Sequence, residues 1–328
     1  MTDLLIACLL GFAGGCFGAA IGGNLAFGAC ALLAPVCWGI SARTGSPFAL
    51  DQVAFGPFFG PHVGFSGAGA ATIYAASRGL LPSGRLVNLP LAPLRDARVI
   101  AVGGAFGAFG VLVSTGVAGV PWFGSHTDRV ALTVIVAAFT ARFLFGDRTI
   151  IHRGRLNPGS RWGGRIAPTA DHCWLPAQEQ PRHYLLLGAV VGGLAGSSCL
   201  LLGRLAPHAA TSANAVMFGV SGWAVIALTL GTHAWVTHHI ANIGGLATIL
   251  VVPLVIPGAD PWSSLGDVGT VTGAVIALLA GIAAGVLAAW AAEVGARLFL
   301  NRSDSYIDPP ALSIFPCATL LRGLLAGG

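Results

Sequence analysis

The sequence predicts an all-α polytopic membrane protein of about ten transmembrane segments, arranged as a 5+5 inverted-topology repeat with broken helices. Three observations predict it: an apolar composition, an uneven division of arginines between loops, and a self-match at a fixed shift.

Of the 328 residues, 55% are hydrophobic and 9% are charged, against about 25% charged in a soluble domain. A chain of this size still needs a polar exterior in water, so lipid is the expected solvent. Glycine numbers 48 and falls mostly inside apolar runs. In a bilayer, small residues let helix backbones approach closely, and Gly103/Gly107 and Gly281/Gly285 have the spacing of such contacts. Seven scattered cysteines give no disulfide framework and no zinc spacing. The opening residues Met1-Thr2-Asp3 run into apolar sequence without a basic leader, so the first segment is expected to be retained.

Ten apolar stretches approach the ~20 residues that cross a hydrocarbon core: 3–22, 24–41, 50–77, 97–118, 128–147, 183–203, 208–230, 232–256, 268–299 and 311–326. The second and last leave open whether they span fully. With the amino terminus outside, thirteen arginines fall in or beside cytoplasmic loops and three outside, Arg322 aside. That bias favours this orientation in a multi-pass cell-membrane protein. The net charge of +5 is therefore a topology signal; with no basic face and no binding motif, no nucleic-acid partner is expected.

Residues 148–182 form the one long polar stretch, rich in Arg, Pro and Gly. They read as a cytoplasmic linker between a first five-span repeat, 1–147, and a second, 183–328. A shift of 176 residues superimposes His62 on His238, Ser66 on Asn242, Gly69 on Gly245, Ala71 on Ala247, Thr72 on Thr248 and Ile73 on Ile249, with Phe59 over Trp235. Gly11/Gly14 match Gly193/Gly196 at a shift of 182. Five spans per repeat oblige the second copy to enter the membrane from the other side, which brings corresponding positions together near the midplane.

An ionisable side chain at that depth points to function. Pro57 and Pro61, flanked by Gly56 and Gly60, are expected to break the third segment and free backbone carbonyls. The predicted substrate pathway is lined by His62, His238, Phe59, Trp235, Ser66, Asn242, Thr72 and Thr248. Neutral interhelical contacts are the bland alternative for the two histidines. A metal or haem would need converging imidazoles, which His62, His233, His238 and His239 would supply; no cofactor is predicted outright. Asp51 reads as interfacial, and Glu293 lies four residues before Arg297, at pairing distance along a helix.

No nucleotide-binding loop or hydrolase motif occurs in a suitable context, and an enzyme is not the favoured class. The favoured reading is a channel or secondary transporter for a small polar solute or ion, with a midplane site between segments three and eight. The alternatives are a membrane-integral metal-, haem- or quinone-binding protein and a scaffold subunit of a membrane complex. The expected partners are the lipid bilayer, a small solute or ion, and further copies of the chain, since glycine-rich spans favour helix-to-helix surfaces.

Overall fold

Among the described residues, ten helices of 14 residues or more form where the sequence is apolar. The computed structural model describes residues 2–155, 164–232 and 234–325. The helices are α1 (Thr2–Ile21), α2 (Gly23–Thr44), α3 (Gly64–Ser77), α4 (Ala97–Ala118), α5 (Arg129–Phe145), α6 (Pro181–Leu205), α7 (Asn214–Thr229), α8 (His238–Val255), α9 (Val271–Gly295) and α10 (Pro309–Leu325). Among the described residues there is no named strand, only isolated bridges.

Among the described residues, six stretches are long and apolar enough to cross a membrane: α1, α2, α4, α6, α8 and the run Val268–Leu300 that contains α9. The other four helices, α3, α5, α7 and α10, have 14 to 17 residues. Large apolar side chains stand exposed on the outer helices, among them Leu5 and Leu9 of α1, Leu186 and Leu194 of α6 and Leu279 of α9. A soluble monomer rarely presents such a surface. Several apolar helices with large apolar side chains on their outer faces are the architecture expected of a membrane protein.

Local chemistry sets the helix ends. Asp96 and Asp128 accept the backbone N–H of Arg98 and Ala131, each at 2.9 Å, and so cap α4 and α5. Pro181 starts α6 at a position where its missing donor is not needed. Gly45 ends α2 in the left-handed region at φ 74°. The expected break in the third segment is present: a π-helical stretch, Ala49–Ala54, gives way to non-helical backbone through Pro57 and Pro61 before α3 begins at Gly64.

Two groups of three helices pack alike. In the first, α1, α3 and α4 pack together; in the second, α6, α8 and α9 do the same. Glycines allow both. Gly15 and Gly67 abut Gly103, where an added Cβ at Gly103 would stand 2.8 Å from the Gly15 carbonyl oxygen. Gly192 and Gly244 likewise meet Gly281 and Gly285, and a Cβ on Gly244 would lie 2.7 Å from Gly192 Cα. The glycine pairs singled out from the sequence are thus helix contacts. Gly192 follows Gly15, and Gly244 follows Gly67, by 177 residues, one beyond the sequence self-match.

Between the groups, α2 packs on α7, and Gly28 near Ile226, Ala31 near Gly222 and Pro35 near Gly219 show the two helices running in opposite directions. Helices α5 and α10 pack against each other as well. Arg142 at the end of α5 binds Ser305 just before α10, while Thr127 just before α5 bonds Thr319 near the end of α10, so this pair is also antiparallel.

The connections gather at two ends. At one, the Gly23 N–H binds the Val87 carbonyl, Tyr306 N–H binds the Gly84 carbonyl, His152 N–H binds the Leu298 carbonyl and Gln178 exchanges two bonds with Val236. This end carries residues 78–96 and the described part of 148–182, and is the arginine-rich face. At the opposite end, Trp38 Nε1 donates to the Ala209 carbonyl, and Arg322 donates to the Thr127 carbonyl.

Candidate functional site

Two clefts enter the helix bundle and meet at a thin septum. The smaller, about 410 Å³, is lined by Asn24, Arg85, Asn88, Trp174 and Tyr306 among others and belongs to the arginine-rich face. The larger, about 530 Å³, is lined by Asp51, His62, Arg129, Ser212, Asn214 and Asn242 among others and belongs to the opposite end. Four residues line both: Phe27, Phe65, His238 and Asp308. They come from α2, α3, the start of α8 and the residue ahead of α10, so elements of both halves build the septum.

Phe27 is its hub. Its ring lies 4.5 Å from the His238 ring, 5.7 Å from Phe218 and 6.2 Å from Phe65, the last two edge to face. Phe65 in turn meets Tyr306 edge to face at 5.9 Å. Such contacts add a modest preference for geometry to the area they bury, and they stand where the two clefts share their lining.

Polar groups sit against this apolar plug. His238 and His62 are both buried, and the Nδ1 of each has no hydrogen-bond partner among the described residues. His239, fully buried, lacks a partner at both ring nitrogens. A buried polar atom without a partner is costly, so an unpartnered ring nitrogen beside a cleft suits a water or a passing ligand. In the larger cleft, Asn214 Nδ2 donates to Asn242 Oδ1 at 2.6 Å. In the smaller, Arg85 Nη1 donates to the Asn301 carbonyl at 3.1 Å. Asp308 accepts from the Tyr306 hydroxyl at 3.0 Å and from the Ala311 N–H at 2.9 Å, capping α10. Burial pushes its carboxyl above the usual range, to about 6, while those two donors pull it down.

The expected pathway residues divide. His62, His238 and Asn242 line the larger cleft together. Ser66, Thr72 and Thr248 face helix backbones instead: Ser66 donates to the Pro61 carbonyl, Thr72 to Ala68, and Thr248 to Gly244 and Ala277. Phe59 packs on Phe58 with centroids 4.8 Å apart. Trp235 is 54% exposed and lines neither cleft, because the backbone ahead of α8 is not helical and its side chain does not share a face with His238. Among the expected metal ligands, His62, His238 and His239 are placed as above, and His233 lies outside the described residues. Among the described residues no three His, Cys, Asp or Glu side chains come together as a metal site. Asp51 is exposed at the larger cleft. Glu293 pairs with Arg297 at 2.7 Å, both side chains buried, as their spacing indicates.

Phe27, Phe65, Arg85 and Asp308 were not legible as site residues. For Asp308 a signal existed, a carboxylate directly ahead of Pro309-Pro310 and an apolar helix; the phenylalanines look like any core residue until the two clefts are seen.

A family model described as a family of unknown function (DUF7973) matches residues 1–157 and 161–327. This chain belongs to that family. The two matched stretches part inside the polar linker, and together they take in nearly every residue named above. No curated protein and no solved structure matches the chain.

Proposed function

We infer that this family member moves a small polar solute or ion across a cell membrane, through the two clefts and past the septum at Phe27, Phe65, His238 and Asp308. The observation that carries this reading is the pair of clefts of opposite origin sharing those four residues. A packing defect would not give two recesses that share lining residues and each carry polar side chains, Arg85 and Asn88 in one and Asn214 and Asn242 in the other. A binding site near the middle of the bundle, reached from either end, is the arrangement that alternating access requires.

On this reading the ten helices are ten crossings, and the halves 1–147 and 183–328 form an inverted repeat about the 148–182 linker. The support is the shared packing of α1–α3–α4 and α6–α8–α9, the antiparallel pairs α2/α7 and α5/α10, and the division of the family match within the linker. At the 177-residue offset of the glycine contacts, His62 corresponds to His239. The arginine-rich face is cytoplasmic and the amino terminus is outside, by the positive-inside rule. The exposed leucine faces of α1 and α6 suit lipid or a further copy of the chain, and we propose a homo-oligomer.

The test is flux into proteoliposomes, read by light scattering for urea and glycerol and by ion-sensitive dyes for sodium, potassium and chloride. Flux of at least one probe should exceed that of protein-free liposomes and fall in His238→Ala. Flux no greater than in protein-free liposomes for every probe would remove the reading.

A further inference from the structure

Asp308 is the one carboxylate that lines both clefts among the described residues. Its oxygens each accept one bond from a neutral donor, Tyr306 Oη to Oδ1 and Ala311 N–H to Oδ2. A carboxylate oxygen accepts more than one bond, so each keeps a site for a proton. No basic side chain forms an ion pair with it among the described residues. His238, the other titratable residue of the septum, presents an Nδ1 with no partner among them.

The charged and titratable groups around it are few at the septum. Tyr306 faces it from its own loop, Arg85 from the loop after α3, and His238 from α8. Farther into the larger cleft stand His62, Asp51, Asp128, Arg129 and Arg322. Burial beside phenyl rings favours the neutral acid over the carboxylate, in keeping with the raised range of Asp308.

We propose that Asp308 binds a coupling proton that reaches it from either cleft, with His238, which lines the same two clefts, as the relay, so that transport by this protein is proton-linked. The proposal rests on the pathway reading. A hydronium in one cleft gives its proton to a free lone pair of the Asp308 carboxylate: one O–H bond of the hydronium breaks, leaving water, and the O–H bond of the acid forms. Release to water in the other cleft breaks that bond and restores the carboxylate. The neutral acid is the form that the phenylalanine septum can enclose at low cost; the charged form favours an open cleft.

Capping α10 is the structural role of the same side chain, and Asp308→Asn separates the two because asparagine caps equally well. Sealed right-side-out and inside-out vesicles bearing the full chain would be treated with dicyclohexylcarbodiimide, which attacks protonated carboxyls in apolar surroundings. Labelling of the Asp308 peptide would be read by mass spectrometry. The expected result is labelling that rises as either vesicle type is acidified from outside, vanishes in Asp308→Asn without loss of melting temperature, and falls from one side in His238→Gln. Absence of labelling at all pH values, or labelling on acidification of one vesicle type only, overturns the proton site. Labelling unchanged from both sides in His238→Gln overturns the relay. Thiol access to Asn88→Cys and Ser212→Cys tells the two readings apart: normal access with Asp308 unlabelled sinks the proton site alone, whereas absent access with Asp308 labelled sinks the pathway.

Discussion

Phe27 of α2 and Phe218 of α7 meet edge to face, 5.7 Å apart, where the two helices pass in opposite directions. The contact joins the two halves of the chain at the place where the clefts end, so the aromatic plug and the interface between halves are the same structure. Phe27 also touches His238 and Phe65. Shortening it to alanine should connect the clefts and raise passive leak of urea into proteoliposomes, while Phe27→Leu, which keeps most of the bulk, should not. The alanine variant is also expected to lose ~3–5 kcal/mol of stability, so leak is to be compared on protein that elutes as a single species.

Glycine packing gives a second prediction. Gly244→Ala puts a methyl group against Gly192 Cα and the Gly281 carbonyl, both backbone and unable to yield. A cost of ~1–3 kcal/mol is expected from such overpacking, seen as a lower melting temperature in mild detergent. Gly69→Ala, with nothing within 4 Å of the added carbon, should melt like the parent chain.

Arg142 is fully buried and serves as a clamp. Its guanidinium donates to the Ser305 hydroxyl at 2.7 Å, the Ser305 carbonyl at 3.0 Å and the Phe299 carbonyl at 2.6 Å. Replacement by methionine keeps the stem but leaves those buried acceptors unmet, at ~1–3 kcal/mol. The expected readout is faster hydrogen exchange at 299–306 with cleft access at Ser212 unchanged.

Stability should depend on pH through Asp308. A carboxyl raised from its ordinary value to about 6 binds its proton more tightly in the folded chain than in the unfolded one. Its stabilising contribution is therefore fully present below the ordinary carboxylate value and is lost as pH rises through about 6. Melting temperature should fall between pH 4 and pH 7 in the parent chain relative to Asp308→Asn. Parallel curves for the two would show that Asp308 does not titrate in this window.

The sequence carried the helices well, because apolar runs ended by Asp96, Asp128 and Pro181 leave little choice of where a helix begins. Pro57 and Pro61 announced the broken segment for the same reason. Helix lengths were harder to read: hydropathy continues through residues 55–63 and 234–237, where the backbone is not helical, so α3 and α8 are shorter than their apolar stretches. Trp235, expected to line the pathway, stands instead on the non-helical backbone ahead of α8 and is 54% exposed. A self-match was visible in His62, Thr72 and Ile73, whereas the similar packing of α1–α3–α4 and α6–α8–α9 runs through glycine contacts such as Gly15 with Gly103, which composition alone makes too common to align. The septum was invisible, since which side chains two clefts share is a property of ten helices at once.

Side-specific thiol labelling reads out which side of the membrane each cleft opens to. In a background with the seven native cysteines replaced, Asn88→Cys in the smaller cleft and Ser212→Cys in the larger would be exposed to a membrane-impermeant maleimide in vesicles of each orientation. Each position should react from one side only, and the two sides should be opposite. Labelling of both from the same side, or of neither, would contradict the pathway reading.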